Sequence, residues 1–479
     1  MRILFAASEV YPFAKTGGLA DVIGSLPKAL QQAGHQVWIV MPRYGSVQGE
    51  AQLIGPLDVA MGDGKVEKGA LYRSFLDADR KIPVYLVDHQ PYFGSRKGLY
   101  AFDDDMWRFA FFCRAVVEML RTLSLSPDVV HCHDWHTGLI PAYLKLLPAG
   151  DTSERRPGVV FTIHNLMFQG IFGRDVYGYT GLPWSAYDLH GLEFHGSFNF
   201  LKAGAVYADR INTVSPTYAI EIQTPALGHG LDGMLRHHSR KLSGIVNGID
   251  YEVWNPEKDR YLTRQFSARD IARKLDLKHA LQTETKLGID DRVPLFSFVG
   301  RLTDQKGMDL IMPILPSLLE NGQVVILGTG DPAYHKRLQE IDGPGSHLAI
   351  VLKYDETLAH KIYAGSDAFL MPSSFEPCGL GQLIALRYGT LPIVRRTGGL
   401  ADTVLDADED RASGTGFAFT DYTPAALQDA VERCRAAYSD KSRWSALVQH
   451  AMAQEFSWKS SMRHYEELYR MVVPVHAAA

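Results

Sequence analysis

Short β-branched runs recur along this chain, each followed by a longer segment of helical periodicity, and that alternation constrains the fold to parallel α/β units. In the first half the runs fall at Arg2 to Ser8, His35 to Met41, Pro83 to Asp88, Asp128 to His133, Val159 to His164 and Arg210 to Ser215. In the second half they fall at Lys241 to Val246, Leu295 to Val299, Gln323 to Leu327, Leu348 to Leu352, Asp367 to Met371 and Leu391 to Val394. Two doubly wound, Rossmann-like lobes are expected, spanning 1–240 and 241–456, with the hinge between Pro225 and Ser243, where Gly228, Gly230 and Gly233 interrupt the pattern. A length of 479 residues suits two or three domains. From Ser457 to Val473, Trp458, Met462, Tyr465, Leu468, Tyr469 and Val472 recur at helical spacing. The tail 457–479 therefore reads as a closing helix; its spacing does not say which lobe it covers, and a return to the first is the expectation.

Charge and cysteine usage narrow the function classes. Lys and Arg number 49 against 54 Asp and Glu, a net charge of −5, which argues against nucleic acid or an anionic membrane as the main partner. Any anionic ligand must be met by a local cluster. Cys113, Cys132, Cys378 and Cys434 are widely spaced, with no C-x-x-C, so neither a disulfide framework nor a zinc ribbon is readable. Met1 to Glu9 is unlike a secretory signal, and no run of eighteen apolar residues occurs, so the expected location is the cytoplasm. Oligomeric state is not legible.

Several strand ends carry polar residues, and in open α/β sheets ligands collect there. Thr16-Gly17-Gly18-Leu19-Ala20-Asp21 recurs letter for letter as Thr397-Gly398-Gly399-Leu400-Ala401-Asp402, preceded by Lys15 and Arg396. Paired glycines at a helix entrance admit close backbone approach, and the N–H groups there favour an anion such as phosphate; two strand-to-helix turns are the plainer reading. Pro27 is expected to kink or restart the first of these helices. The loop is not the G-x-G-x-x-G fingerprint, so a dinucleotide oxidoreductase is the weaker idea.

Arg301 and Lys306 converge at one strand end, a planar fork and a point charge suited to a diphosphate leaving group, or else a solvated surface pair. Glu376 precedes an apolar helix, where capping would explain it. His131 and His133 share a strand face, but a metal site needs three or four convergent ligands, and none is expected. Asp134, Trp135 and His136 read better as facing a sugar. Asp103 to Asp105 reads as a helix-capping run.

These residues resemble bacterial glycogen synthases and the similar starch synthases, retaining glucosyltransferases of the GT-B fold with two lobes facing a deep cleft. The resemblance runs through Lys15 to Val22, His133-Asp134-Trp135-His136, Thr162-Ile163-His164-Asn165, Phe200 to Gly204, Gly244 to Asp250 and Trp254-Asn255-Pro256. It continues through Gly300-Arg301, Glu376 to Leu380 and Arg387-Tyr388-Gly389, covering essentially the whole chain. It implies transfer of glucose from ADP-glucose to the non-reducing end of an α-1,4-glucan, extending glycogen, with no metal and no cofactor. By its pattern Arg301 and Lys306 hold the diphosphate, Lys15, Gly17 and Gly18 approach it from the other lobe, and Tyr354 packs on the adenine. Asp21, His164, Asn165, Asn247 and Glu376 match positions around the transferred glucose, while Asp134, Trp135, His136 and Tyr92 would face the acceptor.

The resemblance favours same-face substitution with Glu376 orienting the sugar; a carboxylate nucleophile is the alternative. Gly381 stands where many relatives carry Thr. Because Lys15 and Arg301 belong to different lobes, open and closed states are expected. A UDP-glucose-dependent or sucrose-type transferase and a catalytically silent glucan-binding scaffold remain as alternatives, although Lys15, His164, Arg301, Lys306 and Glu376 are all present.

Overall fold

In the computed structural model, which describes residues 1–47, 49–148, 156–341 and 347–473, the alternating pattern resolves into two large sheets and a small one. The chain divides into two units, Met1–Gly248 together with the segment from Trp458 onward, and Ile249–Ser457.

The first unit holds β1 (Arg2–Ala6), β2 (Gln36–Pro42), β3 (Gln52–Ala60), β4 (Val66–Phe75), β5 (Pro83–Asp88), β6 (Val129–His133) and β7 (Gly158–Ile163). A small antiparallel sheet of β8 (Ile171–Gly173), β9 (Glu193–Phe194) and β10 (Ser197–Asn199) follows, then β11 (Arg210–Thr213) and β12 (Leu242–Gly244). The main sheet has the order β12-β11-β7-β6-β1-β2-β5-β4-β3. The chain starts in the middle at β1, builds β2 and β5 to one side, and returns to lay β6, β7, β11 and β12 on the other, all parallel. Ile3 to Ala6, Val129, Val130 and Phe161 are buried, as strands covered on both faces require.

Three expectations fail and one hairpin is unanticipated. The run at 241–246 does not open the second lobe: Ile211 pairs with Leu242, so β12 is the edge strand of the first sheet. The antiparallel hairpin β3–β4 went unread, since Gly55, Pro56 and Gly69 interrupt strands that are largely solvent-facing. Helix α1 (Gly18–Gln32) runs through Pro27 without restarting; its buried stripe of Leu19, Val22, Ile23, Leu26 and Leu30 outweighs one missing backbone hydrogen bond. Helix α2 (Asp105–Thr122) starts at the acidic run, yet Asp104 makes no cap and pairs with Arg96 instead. Asp105 takes the N–H groups of Ala101 and Phe102 and pairs with buried Arg108.

The helix Trp458–Arg470 packs on the first unit, burying Trp458, Met462, Tyr465, Leu468 and Tyr469. His35 joins it to the start of the chain, with one ring nitrogen 3.1 Å from the Met1 amino group and the other 2.6 Å from Glu466. Of the segment 457–479, the last six residues lie outside the described residues.

The second unit holds β13 (Leu295–Val299), β14 (Gln323–Leu327), β15 (Leu348–Val351), β16 (Ala368–Met371), β17 (Leu391–Arg395) and β18 (Phe417–Phe419). Their order is β15-β14-β13-β16-β17-β18, all parallel, so here too the chain begins centrally and reverses direction. Each unit therefore has one topological switch point, between β1 and β6 in the first and between β13 and β16 in the second. At such a point the loops leaving the strand ends part in opposite directions and leave a crevice for a ligand.

Candidate active site

At the first switch point the loop after β1 is organised by a carboxylate that sequence reasoning passed over. Glu9, 3% exposed, accepts hydrogen bonds from the Thr16 backbone N–H, from Thr16 Oγ1 at 2.6 Å, from the Gly17 N–H at 3.2 Å and from the Tyr100 hydroxyl at 2.8 Å. The Gly17 N–H at the entrance to α1 is thus already occupied by an anion of the protein itself. Beyond it, Lys15 is exposed and pairs with Asp21 at 2.7 Å. A Cβ added at Gly17 would meet no protein atom within 4 Å, so the space beside this backbone is open. Glu9 could have been noticed as the polar residue closing the first strand, but nothing in its spacing points to residues 16 and 17.

From the other side of that switch point come β6 and β7. Asp134, at φ 56°, turns its carboxylate to the His164 backbone N–H at 2.7 Å. Burial pushes its carboxyl up to about 7 despite hydrogen bonds from the His164 and Asn165 backbones that favour the ionised form. His164 Nε2 lies 2.9 Å from His133 Nδ1, and burial lowers His164 to about 3. Asn165 uses its Oδ1 to hold the Met167 N–H at 3.0 Å. Asn247, expected in the second lobe, belongs to this unit; its buried Oδ1 has no hydrogen-bond partner among the described residues and suits a ligand hydroxyl.

The acceptor-facing role does not fit Trp135 and His136. They are 8% and 7% exposed and pack together and against Phe109, while Phe172 and Phe200 contact the Trp135 ring. These aromatics fill the core beneath the strand end rather than line its surface. Tyr92 is half-buried, stacked on His89, and its hydroxyl donates to Glu67 at 3.3 Å. Among the described residues no group of three or more His, Cys, Asp or Glu side chains converges as metal ligands. His131 is held instead by Tyr469 at 2.8 Å and Thr162 at 2.6 Å.

The histidines of this region predict acid lability. Burial depresses His131, His133, His136 and His164. Below the unfolded value of about 6.5 the unfolded chain takes up protons that the native one refuses, so stability falls as pH drops from there. Asp134 works oppositely: its folded value is raised, so the stability it adds at low pH is lost as pH climbs towards 7. Four groups outweigh one, and the urea midpoint is expected to fall between about pH 7 and pH 5. A midpoint constant over that range would contradict the assignment.

At the second switch point the loop after β13 meets the loop after β16. Lys306 Nζ is 2.6 Å from Glu376 Oε2, which also accepts from Ser373 Oγ at 3.0 Å. Arg301 is exposed and steadied by Gln305 at 2.9 Å, and Gln305 in turn donates to the Phe375 carbonyl at 3.2 Å. Glu376 is 6% exposed and lies five residues before the helix Gly381–Arg387, whose N-cap position is Leu380. Helix capping is therefore excluded for it, and a carboxylate this buried is tolerated by its pairing with Lys306. Tyr354, beyond β15, is 77% exposed.

The second copy of the glycine repeat lies under this loop and plays a different part from the first. A Cβ at Gly398 (φ +44°) would come within 2.0 Å of the Glu376 carbonyl oxygen, and one at Gly399 within 2.1 Å of that of Cys378. These glycines let their helix press against residues 376–378. Arg396 pairs with Glu409 at 2.5 Å, so the cation before the second copy is directed into a surface ion pair. A Cβ at Gly381 would meet Phe369 Cε1 at 2.9 Å and the Tyr363 hydroxyl at 3.3 Å, so these rings fill the space a larger residue would need.

Two Rossmann-like units in one chain, each with charged groups at its switch point, define the GT-B class of glycosyltransferases. The starch synthase catalytic domain model matches residues 2–237, and the model of glycosyl transferases group 1 matches 281–446. A glycogen synthase of Geotalea daltonii is 46% identical over 99% of both chains; one of an Anaeromyxobacter species is 48% identical over 98% of this chain and 99% of the other. The catalytic domain of starch synthase IV from Arabidopsis thaliana, solved with ADP and acarbose, superposes with a TM-score of 0.91 at 37% identity, covering 98% and 99%. A sucrose-phosphate synthase of Thermosynechococcus elongatus, 16% identical with a TM-score of 0.59, shares the fold. The chain belongs to the glycogen and starch synthase family.

Proposed function

We propose that the protein elongates glycogen by transferring glucose from ADP-glucose to the non-reducing end of an α-1,4-glucan, with retention at the anomeric carbon. The observation that carries this reading is the set of Arg301, Lys306 and Glu376 at the switch point of the second unit. Its two cations suit a diphosphate that must depart with negative charge, the task a divalent ion performs elsewhere. The ADP and acarbose bound by the starch synthase IV relative support the donor and acceptor classes.

In this reading Arg301 and Lys306 hold the diphosphate, Lys15, Gly17 and Gly18 of the first unit serve the same ligand, and Tyr354 stacks on the base. Asp21, His164, Asn165, Asn247 and Glu376 attend the transferred glucose, and Asp134 and Tyr92 attend the acceptor. The acceptor hydroxyl forms its bond to C1 on the face from which the C1–O(phosphate) bond breaks. The electron pair of that bond goes to the diphosphate oxygen, which takes the hydroxyl proton. Glu376, held through Oε2 by Lys306 and Ser373, orients the sugar in this reading rather than attacking C1. We also assign the protein to the cytoplasm; its four cysteines are buried thiols outside any disulfide, and no described helix is long and apolar enough to cross a membrane.

The test is release of ADP from ADP-glucose, and of UDP from UDP-glucose, each with and without glycogen. Glycogen-dependent ADP release that far exceeds UDP release supports the reading. Release from neither donor, with glycogen still bound, would favour a silent scaffold. Tyr354→Ala is expected to raise the KM for ADP-glucose about tenfold with little change in kcat, the scale of one lost base-stacking contact. An unchanged KM would remove Tyr354 from the donor site.

A further inference from the structure

His133, the last residue of β6, takes no part in the chemistry above, yet its ring is fully buried and its Nδ1 lies 2.9 Å from His164 Nε2. Its other nitrogen, Nε2, is buried with no hydrogen-bond partner among the described residues. The ring cannot turn to find one. Phe5 stacks against it at 5.7 Å and 14°, and His131 packs against it at 4.0 Å between centroids. His131 is itself pinned at both nitrogens, by the hydroxyls of Thr162 and of Tyr469 on the C-terminal helix.

Only one proton can lie between His133 Nδ1 and His164 Nε2, and its owner follows from the orphaned nitrogen. If His164 donated, His133 would carry its own proton on Nε2, leaving an N–H buried without an acceptor. If His133 donates, only a lone pair is left unpaired. Buried N–H groups without partners are the rarer case, so the second arrangement is the stable one. We propose that His133 is a positioning residue that donates its Nδ1–H to His164 Nε2 and thereby holds His164 neutral, with the His164 proton on Nδ1.

The consequence bears on the reaction, and it rests on the reading of His164 as a neighbour of the transferred glucose. Protonating His164 would set an Nε2–H against the His133 N–H and force the His133 proton onto its orphaned nitrogen. A neutral ring does not oppose the positive charge that develops on the sugar at the transition state. The titratable groups around the pair are His131 on β6, Tyr469 on the C-terminal helix, and Asp134, which holds the His164 backbone N–H. Glu9, across the switch point, acts electrostatically on Asp134.

The first test reads the tautomer in the unsubstituted protein and uses a substitution at His164 only to assign its signals. In a long-range proton–nitrogen spectrum of the whole protein labelled with 15N-histidine, the pattern missing from His164→Gln is expected to show Nδ1 protonated and Nε2 bare at neutral pH. A proton on Nε2 overturns the proposal. In the second test His133→Phe is expected to lower kcat about tenfold, the scale of one lost hydrogen bond, with the KM for ADP-glucose within about twofold. It should also move the acid limb of the kcat profile upward, to a position still below the ordinary histidine value of about 6.5, because burial continues to hold the His164 ring low. His133→Gln, whose side-chain amide can donate the same bond, should recover most of kcat and reverse that movement. A His133→Phe profile that superposes on that of the unsubstituted protein overturns the positioning role. Full activity in His164→Ala would instead dismiss His164 from catalysis while leaving the tautomer assignment intact, so the two failures are distinguishable.

Discussion

Lys306→Ala is expected to lower kcat about 100- to 1,000-fold, the usual cost of removing one group that stabilises a departing anion. Two losses combine in this variant. The diphosphate loses a point charge that Arg301 cannot replace, because Arg301 is exposed and steadied by Gln305 at the loop surface. Glu376 also loses the cation 2.6 Å away while remaining 6% exposed, so its buried negative charge is left with the Ser373 hydroxyl. Lys306→Arg, which keeps the charge but not its point-like shape, should recover only part of the rate. Glycogen-dependent release of ADP measures both. A Lys306→Ala variant within about threefold of the unsubstituted rate would sever this cluster from leaving-group stabilisation.

Glu9→Ala should be the most damaging substitution in the first unit away from the reacting groups. It removes the acceptor of four hydrogen bonds at once, from the Thr16 N–H and hydroxyl, the Gly17 N–H and the Tyr100 hydroxyl, of which the last keeps Ser8 Oγ at 2.7 Å. Loss of a buried carboxylate that accepts hydrogen bonds from neutral donors costs about 1.5–3 kcal/mol. The loop that carries Lys15 loses its anchor as well, so the KM for ADP-glucose should rise about tenfold or more. Tyr100→Phe, which deletes one of the four donors, should cost about 1 kcal/mol and serves as the graded control. Urea denaturation and donor saturation curves give the two readouts. Stability within about 1 kcal/mol of the unsubstituted protein for Glu9→Ala would mean the loop is held by something else.

How far such features can be read from sequence depends on whether their cause is local. The buried parallel strands declared themselves, because a strand covered on both faces must be continuously apolar, as Ile3 to Ala6 and Val129-Val130 are. Arg301, Lys306 and Glu376 were legible as charges at strand ends, and their convergence follows from a strand order that places β13 beside β16. Hairpin β3–β4 was not, since its faces are mostly wet and Gly55, Pro56 and Gly69 break the alternation. Leu242-Ser243-Gly244 is a strand only because β11 lies beside it, and three residues cannot announce a partner thirty positions away. The glycine repeat shows the limit most plainly. Six identical letters make an open cradle at Gly17 and a packing contact at Gly398 and Gly399, because what lies opposite each copy is written elsewhere in the chain. Trp135 and His136 likewise look the same in sequence whether they face a sugar or Phe109.

The return of the C-terminal helix to the first unit sets an order of events on the ribosome. The usual expectation is that the N-terminal domain folds first as the chain emerges, at about 5–20 residues per second. Here the second unit, Ile249–Ser457, is finished while the first still lacks Tyr465 and Tyr469, the residues that cover the Asn212 and His131 side chains. For roughly ten to forty seconds of translation the nascent first unit keeps that face of its sheet exposed. A chain stopped just short of Trp458 would hold a complete second unit beside an unfinished first one, making this interval the natural window for a holding chaperone to engage.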